Sequence, residues 1–384
     1  MIPIKWDGSK WIKANTDNLI GSNEWYSYNN FQWANAALVT SSTRDEYVDA
    51  LAGTEVPESD IMAYFVWIPR FKYELFNVSS ADMTPRKINV VFENKTTPKS
   101  TGSTNGTYLT HPAFTFGTKE VNGIWVAKFE TTGNMLAPTI KPNLSSQRSQ
   151  SVREQFEISR LFQNETTYGL TATNDPHMMK NTEWGAMAYL SQSDYGKYSN
   201  PVYTGATGLE KEIWMNPNSH LTGCAGNSYS ETVTLECNSY QTPNGVKAST
   251  TGNVYGIYDT VGGGWEYVMA AQYNSASNTN IQIASSGFVQ TTIDSADMSK
   301  YINKYNHGTT FNDSLAYARK ILGDATGETK GWTGYANFPY SISPWSLRGG
   351  LAGSTGNSFG MFCFINGSGA ARGDATFRVV IFGE

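Results

Sequence analysis

Short apolar runs broken by turn residues make up most of the chain. Residues 64–73 form the clearest of them and predict a strand, with Pro69 marking a bulge or an edge. Residues 87–93 and 123–130 predict two more. The first sixty residues carry Trp6, Trp11, Trp25, Tyr26, Tyr28, Phe31 and Trp33 at spacings that suit short hairpins, with Asp7-Gly8 and Asn29-Asn30 as turns. A helical period appears in two places. Val152, Phe156, Ile158, Leu161 and Phe162 predict a helix within 148–162. Trp184, Met187, Ala188 and Leu190 predict another over 182–192, capped by Thr182 and apolar on one face. Residues 94–109 read as an exposed loop. Residues 254–259 and 265–269 are apolar islands in a Gly-rich segment. Residues 274–330 read as an insertion, with a short helix within 314–322.

A chain of 384 residues suggests two domains, or one large domain with insertions. Charged residues are only 16% and aromatic residues 13%, which argues for a packed, loop-rich globule over a disordered chain. The net charge is -5 and no Lys/Arg cluster could follow a phosphate backbone, so nucleic acid is not an expected partner. No apolar run is long enough to span a membrane. The opening residues 1–6 lack a signal-peptide pattern, so synthesis in a bacterial cytoplasm is expected, with any extracellular role reached as part of a particle. Cys224 and Cys237 flank one loop and are close enough in sequence to bond. The reducing compartment instead favours free thiols, and the pairing stays open. Seven Asn-x-Ser/Thr sequons match chance in a chain this rich in Asn, Ser and Thr.

Four stations then recur in order. They are residues 123–132 (GIWVAKFETT), residues 181–189 (NTEWGAMAY), residues 253–267 (NVYGIYDTVGGGWEY), and Arg348-Gly349-Gly350 followed by Phe377-Arg378-Val379-Val380. Over about residues 110–384 the chain resembles the formylglycine-generating-enzyme type of C-type lectin fold. More closely, it resembles the variable proteins of diversity-generating retroelements, the major-tropism-determinant-like proteins of phages and prophages. The resemblance implies an α+β fold, loop-rich, with short strands and two main helices. A small β-rich region, residues 1–110, would precede it and attach it to the particle. The lectin-like domain would be 111–384, with a variable ligand-binding segment at 332–381. The glycines at 256 and 262–264 would permit tight turns, Trp184 and Trp265 would anchor the core, and Arg348 and Arg378 would be paired inside.

The chemistry of the same stations points away from catalysis. The enzyme relatives use a cysteine pair just after Arg-Gly-Gly, whereas residues 351–360 contain no cysteine and Cys363 stands alone. His111, His177, His220 and His307 show no metal-ligand spacing, and His111, next to Pro112, reads as structural. Asp259 and Glu266 could form a carboxylate pair, but in this fold they are expected to cap amides or to pair with Arg348 or Arg378. The calcium-binding loop motifs of lectins are absent. The expectation is therefore a binding protein with no cofactor and no metal. Its partners would be a macromolecule on a bacterial surface, protein or glycan, and phage structural proteins; oligomeric state stays open. Its place would be the virion.

The resemblance places the ligand-binding positions just before and between the two Arg-containing ends: Trp332, Tyr335, Asn337, Phe338, Tyr340, Ile342, Leu351, Ala352, Thr355, Asn357, Phe359, Met361, Cys363, Ile365, Asn366, Ser368, Ala371, Arg372 and Asp374. Alternation along 361–365 predicts Tyr335, Phe359, Met361 and Arg372 exposed and Phe362 and Phe364 buried.

Overall fold

A computed structural model describes residues 1–17, 24–203, 211–272, 283–305, 320–356 and 358–382. It is an α+β protein with two principal sheets, small hairpins and many turns. Two strands, β1 (Ile2–Trp6) and β2 (Trp11–Lys13), form a hairpin whose turn is Asp7-Gly8. They lead into β3 (Asn35–Val39) and β4 (Ile61–Pro69). The expected 64–73 strand is two strands: β4 stops at Pro69, and β5 (Phe71–Glu74) starts a separate small sheet. Arg70 lies between them, buried, bound to Glu93 and Glu120 at 3.0 and 2.7 Å. The β5 sheet also holds β6 (Val90–Phe92) and β7 (Tyr108–Thr110). Only three residues of the expected 87–93 strand are extended, because β6 pairs just with the short β5.

The large sheet continues through β8 (Gly123–Ala127), β9 (His177–Met178) and β15 (Val379–Ile381), in the order β9-β15-β8-β4-β3-β1-β2. Strands from both ends of the chain thus lie in one sheet, and β4 and β8 pair across residue 110. The second sheet is built on β10 (Trp265–Gln272). It runs β11 (Asn303–Tyr305), β10, β12 (Trp345–Gly349) and β13 (Gly360–Gly367), with β14 (Ala375–Phe377) also paired to β10. Through β11, part of the 274–330 stretch joins the main fold. Residues 314–319 of the expected short helix lie outside the described residues, and 320–322 are not helical.

Among the described residues, the longest helices are the two expected ones. Helix α1 (Val152–Arg160) starts at a capping box, Ser151 with Glu154. Helix α2 (Asn181–Ser191) starts one residue before the predicted cap. Glu183 reaches back to the Lys180 amide at 2.8 Å, and the Thr182 amide donates to Asn303 Oδ1 at 2.9 Å, so Thr182 is not the cap. Nor is α2 apolar on one face only: every residue in it is buried, because it packs against strands of both sheets.

The Gly-rich signature wraps this core. Lys128 Nζ, fully buried, donates to Asn35 Oδ1, Val254 O and Gly256 O at 2.6–2.8 Å, tying the first strands to the 253–267 segment. Burial holds its ammonium well below the ordinary lysine range. Asp259 adopts φ +59°, a conformation disfavoured for a side-chain-bearing residue. It caps the Gly223 amide at 2.8 Å and accepts from Asn216 Nδ2 at 2.9 Å. Gly262 and Gly263 follow with positive φ, whereas Gly256 and Gly264 do not. At Gly256 the requirement is space, since a Cβ would lie 2.6 Å from Thr251 Oγ1.

Candidate ligand-binding surface

The two arginines that frame the C-terminal region are buried and hydrogen-bonded, and Arg378 is ion-paired. Arg378 forms a two-pronged pair with Glu266, at 3.0 and 2.6 Å, and donates to the carbonyls of Ala127 and Tyr258. Arg348 donates to Ala325 O and Asn181 Oδ1 at 2.9 and 3.3 Å and lies over the Trp184 ring. Burial pulls its guanidinium down to about 10. The Asp259 and Glu266 carboxyls are pushed up to about 8 and about 7, in both cases chiefly by burial. Arg378 draws both back toward ionisation, while the charge of Glu130 opposes it. Asp259 and Glu266 therefore split the two roles expected of them: one caps amides and the other pairs with Arg378.

On this frame, β12 and β13 form a hairpin with a register break at Arg348/Gly349. Gly350, at φ +104°, lets the chain leave the hairpin; a Cβ there would meet Phe359 Cβ at 2.7 Å. Residues 335–338 run beside β13 as an added rail. Phe364 N donates to Tyr335 O at 3.2 Å, Asn337 N to Phe364 O at 3.0 Å, and Asn366 Nδ2 to Phe338 O at 3.1 Å.

The expected positions differ widely in exposure. Tyr335 and Ile342 are 41% and 50% exposed, and Thr355 and Ala371 are exposed as well. Asn337, Tyr340, Leu351, Ile365, Asn366, Ser368, Arg372 and Asp374 are half-buried. Arg372 spends its charge on Asp374, through bonds of 2.8 and 2.7 Å. Asn357 lies outside the described residues.

Six positions are buried: Trp332, Phe338, Ala352, Phe359, Met361 and Cys363. The expected exposure of Phe359 and Met361 is therefore corrected, and that of Arg372 is only partial, while Phe362 and Phe364 are buried as expected. Alternation fails because the odd-numbered positions are covered too. Phe359 lies beside Tyr229, at 6.4 Å between ring centroids, and Cys363 Sγ approaches Ser358 O at 3.7 Å. Trp184 Nε1 donates to Met361 O, Phe362 packs on Trp332 at 4.8 Å between ring centroids, and Phe338 packs on Phe364 at 4.9 Å. Burial also pushes the Cys363 thiol up to about 12, so it stays protonated at neutral pH.

The 226–237 loop borders this surface and was not singled out from the sequence. Val233 and Leu235 are 58% and 85% exposed, and a Cβ at Gly353 would lie 2.5 Å from Val233 Cγ2. Cys224 and Cys237 are bonded and close that loop, contrary to the free thiols that a reducing compartment favours. The flanking cysteines were the signal that could have found it. Replacing both by Ser is expected to lower stability by roughly 2–3 kcal/mol, the entropy of closing a loop of this size. Equal urea midpoints for the oxidised wild type and the double variant would contradict this.

Among the other histidines, His111 caps a short 3-10 turn by accepting from Ala113 N, and its Nε2 donates to Gly323 O at 2.8 Å. His177 joins Asp175 O and Glu183, His220 is exposed, and His307 lies outside the described residues. Among the described residues, no helix is long and apolar enough to cross a membrane.

No family model matches the chain, nor does any curated protein. Solved structures give distant likenesses. The Major Tropism Determinant M1 variant is 11% identical, with 84% of this chain and 63% of that one covered and a TM-score of 0.31. The U1 variant is 12% identical, with 84% and 64% covered and the same TM-score. The Treponema denticola variable protein 1 is 12% identical, with 83% and 96% covered and a TM-score of 0.32. The chain thus spans just under two thirds of the length of the first two. Scores at this level assign no family.

Proposed function

We propose that this chain is a ligand-display protein of a phage or prophage. Its scaffold is a C-type lectin fold of the formylglycine-generating-enzyme type, and its diversified C-terminal surface binds a protein or glycan on a bacterial surface. One observation carries the reading. Large apolar side chains at Tyr335 and Ile342 stand in solvent on backbone that is itself hydrogen-bonded: Phe364 binds both sides of the 335–337 rail, and Tyr340 and Ser343 bond to each other beside Ile342. Such a frame can accept different side chains without refolding, and recognition surfaces favour rigid aromatic groups beside small residues. Residues 1–110 attach the protein to phage structural proteins in the virion, where many copies multiply weak single contacts.

We assign variation by burial. Tyr335, Ile342, Leu351, Thr355, Ala371 and Arg372 belong to the binding set, whereas Trp332, Phe338, Phe359, Met361 and Cys363 belong to the framework. Sequencing residues 332–381 in sibling genes tests this. Substitutions concentrated on the first group, beside a reverse transcriptase gene and a near-copy of the segment, are the expected result. Substitutions as frequent at the buried group would overturn it.

A further inference from the structure

A second recess lies away from that surface, on the outer side of β4 and β8. Trp67 and Trp125 stand opposite each other in the register of those strands, with ring centroids 5.0 Å apart. Gly123 leaves room for the first indole, since a Cβ there would fall 2.5 Å from Trp67 Cζ2. The wall comes from residues 25–28. Trp25 stacks near Trp125 at 6.0 Å and is pinned by its Nε1 donating to Asn35 O; Tyr28 is pinned by its hydroxyl donating to Trp67 O. Tyr26, Phe92, Pro69 and Asn122 complete a cavity of about 460 Å³, within the range of ligand sites.

The lining has a one-sided chemistry. It contains no charged side chain. The indole N–H groups of Trp67 and Trp125 have no partner among the described residues. Asn122 Oδ1 already accepts from Lys95 N at 2.9 Å, which leaves its NH2 as a donor. The Trp67 carbonyl is taken by Tyr28. Only the Tyr26 hydroxyl can serve either way. The matching ligand is neutral, has flat apolar faces, and carries acceptors with few donors. A sugar brings a donor with every hydroxyl and would want acceptors in return. A proline-rich segment brings carbonyls that no internal bond satisfies and lacks N–H at each proline. A second cavity of about 420 Å³, lined by Lys72, Glu93 and Thr97, shares Phe92 with the first, which suits an extended ligand rather than a compact one.

We infer that this aromatic cleft binds a proline-rich segment of a partner protein in the polyproline II conformation. Rings grip the pyrrolidines and the indole and amide N–H groups bind the carbonyls, at little entropic cost because the ligand is already extended. The test is fluorescence anisotropy with the full chain and a labelled peptide of repeated Pro-Pro-Ala. A Gly-Ser-Ala repeat of equal length and cellohexaose serve as competitors. Saturable binding is expected, weakened roughly tenfold or more by Tyr26→Ala. Trp67→Phe, which keeps a ring but loses the N–H, is expected to weaken it roughly three- to tenfold. Both variants should stay folded, checked by a cooperative melting transition, and serine substitutions on the 332–376 surface should leave this binding intact. No saturation up to about millimolar peptide would overturn the inference. So would equal competition by the Gly-Ser-Ala repeat, stronger competition by cellohexaose, or indifference to both variants.

Discussion

Arg378→Met is expected to destabilise the protein by about 3–5 kcal/mol at neutral pH, the usual cost of breaking a buried ion pair from one side. The guanidinium is wholly buried and makes four bonds: two to Glu266 and one each to the Ala127 and Tyr258 carbonyls. Met fills much of the space but leaves all four acceptors without a donor. The loss should depend on pH. Burial already pushes the Glu266 carboxyl up to about 7, and the guanidinium is what draws it back toward ionisation. Without Arg378 it rises further and takes a proton. A carboxyl whose folded pKa lies above its unfolded one favours the native state at low pH, and that advantage is lost as pH rises through the folded value. The variant should therefore be closer to wild type near pH 5 than near pH 8, and Glu266→Met added to it should recover part of the loss. Urea titrations at the two pH values measure both effects. A cost under about 1 kcal/mol at neutral pH would mean that Arg378 does not hold the signature segment to the sheet.

The second large effect comes from His111. Its ring is buried, donates to Gly323 O and accepts from Ala113 N, which fixes the neutral tautomer protonated at Nε2. Burial pulls the ring down to about 3 from an ordinary 6.5. Between those values the unfolded chain binds a proton that the native chain refuses. Stability is thus complete above about pH 6.5 and falls as the solution is acidified, by up to about 1.4 kcal/mol per pH unit. Between pH 6.5 and 4.5 the loss from this one ring is roughly 2–3 kcal/mol. His111→Asn keeps a cap acceptor for the Ala113 amide and removes the titration. It should be less stable at neutral pH yet show a shallower decline in acid. Parallel declines for the two proteins would contradict the assignment.

The interior of the fold was largely legible in the sequence. Residues 123–127 of the expected 123–130 strand, and a helix at 181–191 for the expected 182–192, follow from apolar period. The pairing of Glu266 with an arginine follows from the family resemblance and from the cost of an unpaired buried charge. The failures share a cause. Alternation along β13 assumes one wet face, but Phe359, Met361 and Cys363 are buried too; Tyr229 lies beside Phe359 and Trp184 bonds to Met361 O, and no local pattern encodes contacts from so far along the chain. Thr182 looked like a cap because its type is right, but the helix starts before it and its own amide donates to Asn303, from another part of the chain. The Cys224–Cys237 bond turned on a compartment argument rather than on the geometry of the loop. For the candidate surface, residue type picked the region and tertiary cover picked the positions within it.

The central claim is that exposed and half-buried side chains between Trp332 and Thr376 bind a bacterial surface component while the buried ones hold the frame. The most direct measurement compares capture from bacterial surface extracts by the wild type and by a version with Tyr335, Ile342, Leu351, Thr355, Ala371 and Arg372 all changed to Ser. Melting temperatures serve as the check on folding. The account predicts that the serine version stays folded and loses capture. Undiminished capture by a folded serine version would contradict it.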